Sequence, residues 1–219
     1  MIGDGVLTVE FFGLPGAGKS SVAHAVARGL GVPVCVQRNS RKDLLRRHPF
    51  AFAEALHSSR KMFGNWVNPK LGFQLYVRGR QQQLVRETTV FEEGVVLEIW
   101  RHLVHGRLQN EPWQELLAVP FADVLVVVDA PDQLIRTRLQ GRATNVDLAV
   151  ELAESTVESL TWSRAREVLD EVATHVALHQ SVIYVRNDRT LDKAREFVGT
   201  SLLRMLEQRR GRPSGRLFG

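Results

Sequence analysis

Eight consecutive residues, GLPGAGKS from Gly13 to Ser20, carry the chemistry that is easiest to read in this 219-residue chain. They fit the spacing G-x-x-x-x-G-K-S, follow an apolar run from Val6 to Phe12 and open a segment of helical period. A loop that wraps a polyphosphate must turn its amide N–H groups inward, and Gly13, Gly16 and Gly18 permit backbone angles and close approaches that a Cβ would block. The helix beginning near Lys19 adds the positive end of its dipole. Lys19 is placed to reach the β- and γ-phosphates of ATP, and the Ser20 hydroxyl to bind Mg²⁺. Pro15 stiffens the loop by fixing its own φ. A bound nucleotide is therefore expected against Gly13, Pro15, Gly16, Ala17, Gly18, Lys19, Ser20 and Ser21. A glycine-rich turn that binds nothing would not need the Lys-Ser pair at this spacing.

Such a loop needs a carboxylate at the end of a neighbouring strand to orient Mg²⁺. The run TTVFEEG supplies Glu92 and Glu93. Glu92 ends the apolar stretch and is assigned to the magnesium site together with Ser20; Glu93, one step beyond, can polarise or contact an acceptor. Either can instead cap the helix that follows, whose first turn favours negative charge. Farther on, DAPDQLIRTRLQGRATNVD puts Pro131 in a first helical turn with Asp129 as its cap. Arg138 and Arg142, four residues apart, share a helix face, with Arg136 on another. The helical pattern lapses after Gly141, so residues 136–148 are expected to form a mobile lid whose arginines close on ATP and offset charge on the transferring phosphoryl group. The bland alternative is a solvated basic helix face.

The elements that must hold these residues alternate. Five short apolar runs, Val6 to Phe12, Val32 to Val36, Thr89 to Glu92, Val124 to Asp129 and Ser181 to Val185, are separated by segments of helical period. This is the pattern of an α/β protein with a parallel sheet flanked by helices. VLVVVD lacks polar alternation and is expected near the sheet centre. Helices are expected over Ser21 to Leu30, in two or three pieces over 41–86 with a break near Asn65 to Pro69, within Val146 to Gln180, and from Leu191 to Gln208. Residues 1–208 read as one domain, with 41–86 as a helical acceptor-binding region and 209–219 as a basic flexible tail.

Composition narrows the function classes. The formal charge is +5, and lysine occurs only at Lys19, Lys42, Lys61, Lys70 and Lys193, so the excess is arginine. Arginine grips phosphate with a planar fork, which suits an anionic substrate. One cysteine, Cys35, provides neither a disulfide framework nor a metal cluster and reads as a small core residue. The longest apolar runs fall short of the roughly 20 residues that cross a bilayer, and the start lacks a basic region with a cleavage site. The chain is expected in the cytoplasm, with no membrane partner.

With these residues in place, the sequence resembles the nucleoside and nucleoside-monophosphate kinase group of P-loop proteins, including the thymidylate kinases. The likeness spans the GxxxxGKS loop, the carboxylates after the third strand, RLQGR at Arg138 to Arg142 where the family has its RLxxR lid start, and a closing strand and helix. It implies a five-stranded parallel sheet, Arg138 near the adenine, Arg142 on the phosphates, and Asn187 and Asp188 beside the base. LYVRGRQQQL looks like the helix that contributes an arginine to the acceptor site, which assigns that role to Arg80, with Arg78, Arg60 and Arg38 as further candidates. Two departures stand out. Thymidylate kinases have Asp-Arg where this chain has Glu92-Glu93, and deoxynucleoside kinases place a catalytic Glu after the second strand where this chain has Gln37-Arg38.

The residues therefore point to an ATP- and Mg²⁺-dependent phosphotransferase acting on a small acceptor, nucleoside or nucleotide favoured, with Lys19, Glu92, Glu93, Arg138 and Arg142 doing the chemistry. An ATP-binding switch protein and a kinase of polynucleotide ends are the alternatives. Nucleic acid is not the expected partner, and a homodimer is allowed.

Overall fold

The computed structural model describes residues 6–35, 57, 69–108, 112–118, 122–141, 152, 159–188 and 190–210. The five apolar runs become strands β1 (Thr8–Phe12), β2 (Val34–Cys35), β3 (Thr89–Phe91), β4 (Val124–Asp129) and β5 (Ser181–Arg186), in the spatial order β2-β3-β1-β4-β5. All neighbours are parallel. Strands covered on both faces need no polar alternation, and accordingly β1 is buried throughout, as is β4 from Val124 to Val128. The centre belongs to β1, with β4 one place from it. The edge strand β5 alternates instead, Ile183 and Val185 inward and Tyr184 and Arg186 outward.

The described helices are α1 (Lys19–Leu30), α2 (Pro69–Gln83), α3 (Val95–Val104), α4 (Gln114–Leu117), α5 (Asp132–Gln140), α6 (Leu160–Val176) and α7 (Leu191–Arg210). Helix α1 buries Val22, Ala23, Val26 and Ala27, and stops where Gly31 enters the left-handed region at φ 66°. There the amides of Gly31 and Val32 close on the carbonyls of Arg28 and Ala27. Right-handed crossovers leave β1 toward β2 and β3 toward β4, which puts α1 and α3 on opposite faces of the sheet. On one face α7 packs beside α1; on the other α6 packs beside α3, with α2 against α3.

Trp100 of α3 is fully buried, meets Phe12 edge-on at 6.2 Å between ring centroids and donates its indole N–H to the Ala165 carbonyl at 3.2 Å. One side chain thus locks α3 to α6 and to the end of β1; truncation of such a residue costs about 3–5 kcal/mol. At the opposite, N-terminal end of the sheet, Thr8 donates its amide and hydroxyl to Asp123 at 2.7 and 2.8 Å, and Arg209 reaches the same carboxylate at 2.6 Å. Helix α7 therefore continues to Arg210, and Arg209 fastens it to β1 and β4 instead of opening a tail. A second departure concerns Asp129. It does not cap α5: Pro131 occupies the cap position with no side-chain bond, while Asp129 and Asp132 both pair with Arg166 of α6. A guanidinium that links two loop carboxylates is a stronger use for Asp129 than a single cap bond. Burial pushes the Arg166 guanidinium down, and these partners outweigh it and raise it overall. Cys35 is half-buried, and burial pushes its thiol up, away from the reactive thiolate. Residues 41–56 and 58–68, 142–148 and 211–219, which hold most of the expected acceptor region, the second half of the expected lid and the tail, lie outside the described residues. Among those described, no helix is long and apolar enough to cross a membrane.

Candidate active site

The loop between β1 and α1 is built by its glycines. Leu14 to Ala17 form a turn closed by the Ala17 amide on the Leu14 carbonyl at 3.1 Å, with Pro15 at its second position and Gly16 at φ 82° at its third. That is the residue order a type II turn requires. Gly18 follows at φ 94° and stands at the N-cap of α1. A Cβ at Gly13 would lie 2.2 Å from the Val128 carbonyl oxygen, and one at Gly18 would lie 2.1 Å from Asn187 Nδ2. Both positions are closed to any side chain. Helix α1 has no side-chain cap at Gly18 and no acidic residue in its first turn. Lys19 Nζ folds back to the Leu14 carbonyl at 3.1 Å, which holds the ammonium over its own loop.

Residues from two other strand ends brace the loop from outside. Asn187, just after β5, is buried and donates Nδ2 to the Ala17 carbonyl at 2.8 Å. Arg138 of α5 donates to the carbonyls of Gly16 and Ala17 at 3.4 and 3.2 Å and to that of Asn187 at 3.4 Å. Ala17 thus spends its amide on the turn and its carbonyl on the brace. These bonds fix loop shape, and they set Arg138 beside the phosphate loop before any ligand arrives.

In an open parallel sheet the ligand crevice lies outside the carboxyl ends of the strands, where chain direction reverses. Here that point is between β1 and β3. The β1–β3 register pairs Glu10 with Phe91, so Glu92 and Glu93 lie level with the last residues of β1 and the loop that follows. The two glutamates then diverge. Glu92 Oε2 is 3.6 Å from His24 Nε2 on α1, one helical turn beyond Ser20 and on the same face. Glu93 turns the other way, to α3, where both its oxygens accept from Arg101 at 2.9 and 3.3 Å. Glu92 therefore borders the phosphate loop and Glu93 the opposite wall.

That opposite wall was not visible as a motif. Gln74, Arg78 and Gln82 recur every fourth residue on α2 and so share a face. Gln74 Nε2 donates to Glu98 at 2.9 Å, Arg78 pairs with Glu98 at 3.2 Å and donates to the Gly94 carbonyl at 3.3 Å, and Arg101 lies 3.7 Å from Glu98. Burial pushes the Glu98 carboxyl up, but His102, Arg78, Arg101 and Gln74 outweigh it and hold it at about 2. Beneath them Glu10 of β1, completely buried, accepts from Gln82 Nε2 at 2.9 Å and from the Leu97 amide at 3.2 Å. Burial raises its carboxyl above the ordinary range, and these donors and Arg78 offset that only in part. Gly94 starts α3 without a side-chain cap, and a Cβ there would fall 2.2 Å from the Glu10 carboxyl. The sequence reading missed Glu10, Gln74 and Gln82; a charged residue in an otherwise apolar strand could have flagged Glu10, and the four-residue spacing on α2 could have flagged the two glutamines as sharing the face of Arg78, though not their partners.

Among the described residues, no group of three or more His, Cys, Asp or Glu could hold a metal by itself. Ser20 and Glu92 fit a magnesium ion that takes its remaining ligands from phosphate and water, the usual arrangement for this ion. Arg38, Arg60 and Arg142 lie outside the described residues; Arg80 lies on α2, its side chain likewise outside them. Ser21 is exposed at the third position of α1.

No family model matches the chain, and no curated relative is detected. Solved structures do match. The deoxyadenosine kinase from M. mycoides with bound dATP aligns with a TM-score of 0.58 at 13% identity, over 90% of this chain and 100% of that one. The same enzyme with dCMP gives 0.57 at 15% over 91% and 100%. The shikimate kinase from Bacteroides thetaiotaomicron gives 0.50 at 15% over 90% and 98%. The fold is that of the P-loop kinases. At these identities the likeness is one of architecture.

Proposed function

We propose that this chain transfers the γ-phosphoryl group of ATP to a small acceptor. The observation that carries the reading is the first turn of α1, which has no side-chain cap and follows three positive-φ glycines, with Lys19 Nζ held over the loop and Glu92 3.6 Å from His24 on the same helix. Amides of the loop and the α1 terminus bind the polyphosphate, and Lys19 follows the charge onto the β- and γ-oxygens. Ser20 and Glu92 would hold Mg²⁺, which would screen charge on the phosphates. Arg138 keeps the loop in shape, and Arg142, read from the sequence as a lid arginine, offsets charge on the transferring phosphoryl group. Glu93 meets the acceptor on the far side. In phosphoryl transfer the protein mainly positions the reactants and compensates charge, which is what these residues are placed to do.

Structural likeness to a deoxyadenosine kinase seen with dATP, dCTP and dCMP supports testing nucleosides and nucleotides first. The deciding experiment is ADP release from ATP and Mg²⁺ across nucleosides, nucleoside monophosphates, hexoses and polyols, beside calorimetric ATP binding. One acceptor is expected to stimulate release well above background hydrolysis. Tight ATP binding with no stimulation by any acceptor would make the protein a nucleotide-dependent switch and end the kinase reading.

A further inference from the structure

The geometry points to an uncharged, polyhydroxylated acceptor that is phosphorylated on a hydroxyl group, in preference to a phosphomonoester phosphorylated on its phosphate. This rests on the phosphotransfer reading of the same site. Among the described residues, the wall on the α3 side of the crevice carries Arg78 and Arg101 against Glu93 and Glu98, and these charges cancel. An incoming phosphate is gripped by guanidinium forks whose donors are available for it. Here Arg101 spends its fork on both oxygens of Glu93, and Arg78 divides its own between Glu98 and the Gly94 carbonyl. The second natural anion site, the N-terminus of α3, is filled as well: Glu10 reaches up from the central strand and accepts from the Leu97 amide. Glu93, the most exposed of the four charged side chains at 35%, would present a carboxylate to any phosphate that entered.

The same wall suits hydroxyl groups. Carboxylate oxygens each accept more than one hydrogen bond, and the Gln74 amide carries a carbonyl oxygen besides the N–H it gives to Glu98, so the wall offers acceptors to a hydroxyl proton. A hydroxyl can donate to such neighbours. The reaction balances without a further reagent. The acceptor oxygen forms a bond to Pγ as the bond from Pγ to the β–γ bridging oxygen breaks; the hydroxyl proton passes to Glu93 and from there to water, and ADP leaves.

The test sets each hydroxyl acceptor against its own monophosphate: nucleosides against nucleoside 5′-monophosphates, hexoses against hexose phosphates. ADP release is followed and the products are read by ³¹P NMR. The unphosphorylated member is expected to be preferred in kcat/KM by roughly 10²-fold or more, the scale of a like-charge clash, and the product to be a phosphomonoester. Glu93→Arg is expected to shift the ratio toward the monophosphate by roughly tenfold or more, because the repelling group becomes a fork for phosphate. A wild-type preference for the monophosphate, with a phosphoanhydride as product, overturns this inference and leaves the kinase reading standing. ADP release that neither set stimulates, from protein that binds ATP, overturns the kinase reading and this inference with it.

Discussion

Two helices begin at the same crevice, and their first turns are finished in opposite ways. Helix α1 follows a glycine loop and has no side-chain cap, so its positive end stands ready for an anion from outside. Helix α3 also starts on a glycine, yet an internal carboxylate, Glu10, takes its amide and leaves no such vacancy. In the proposed site the phosphate half thus ends on a helix without a side-chain cap, and the acceptor half on groups matched among themselves. One half is expected to lose function when a charge is removed. The other is expected to change its choice of partner or its pH stability.

Lys19→Ala breaks the first half most directly. The ammonium lies over the loop and its contribution grows as charge develops on the phosphoryl group, so turnover should fall by roughly 10³-fold, about 4 kcal/mol. The melting temperature should stay near wild type. A mutant with unchanged turnover would sink the nucleotide assignment.

Glu92→Gln and Glu93→Gln separate the two halves. Because Glu92 faces α1 and the turn after Ser20, its loss should lower Mg²⁺-dependent kcat by roughly 10²-fold while ATP affinity moves little. Glu93→Gln should act on acceptor KM and proton removal, with MgATP binding intact. If Glu93→Gln removed Mg²⁺ dependence and Glu92→Gln were silent, the division of labour drawn between them would be reversed.

The uneven legibility of the two halves has the same physical origin. A phosphate loop is read from consecutive residues because the backbone itself is the ligand-binding group, and only glycines at fixed places allow its shape. The parallel sheet was legible because doubly covered strands such as VLVVVD cannot hide their composition. The acceptor wall is assembled from β1, α2 and α3, and its partners are 72 or 87 residues apart in the cases of Gln82 and Leu97 with Glu10. No local spacing announces such a pair. Arg78 was singled out as an acceptor contact, but Glu98 and Arg101, which occupy its neighbourhood, were not. Asp129 was misread for a related reason: its local cap role was plausible until Arg166, on a distant helix, competed for it.

Acid stability sharpens the comparison at a smaller scale. Glu98 sits at about 2, below its ordinary 4.5, so its contribution is fully present above about pH 4.5 and is lost as pH falls toward 2. The shift corresponds to about 3 kcal/mol at most. Chemical denaturation between pH 6 and 2.5 should show a decline in wild type that is clearly shallower in Glu98→Gln, whose stability is already lower at neutral pH. Identical slopes would mean that the Arg78, Arg101 and His102 partners do not hold the carboxylate as drawn.

The smallest effect is expected at Glu10, where the sign runs the other way. A buried carboxyl with a raised value contributes stability that is fully present below the unfolded value near 4.5 and is lost as pH climbs through the folded one. Glu10→Gln removes the titration and keeps an oxygen for the Leu97 amide. Gln82 can rotate its amide so that Oε1, buried without a partner, accepts from the new side chain. The substitution should change stability at pH 7 by less than about 1 kcal/mol, whereas Glu10→Ala strands the Leu97 amide and should cost about 1–3 kcal/mol beyond the cavity it leaves. If Glu10→Gln proved as damaging to stability as Glu10→Ala, the charge itself would be what holds α3 to the central strand, and the contrast between an open and a filled helix terminus would rest on a stronger bond than hydrogen bonding alone.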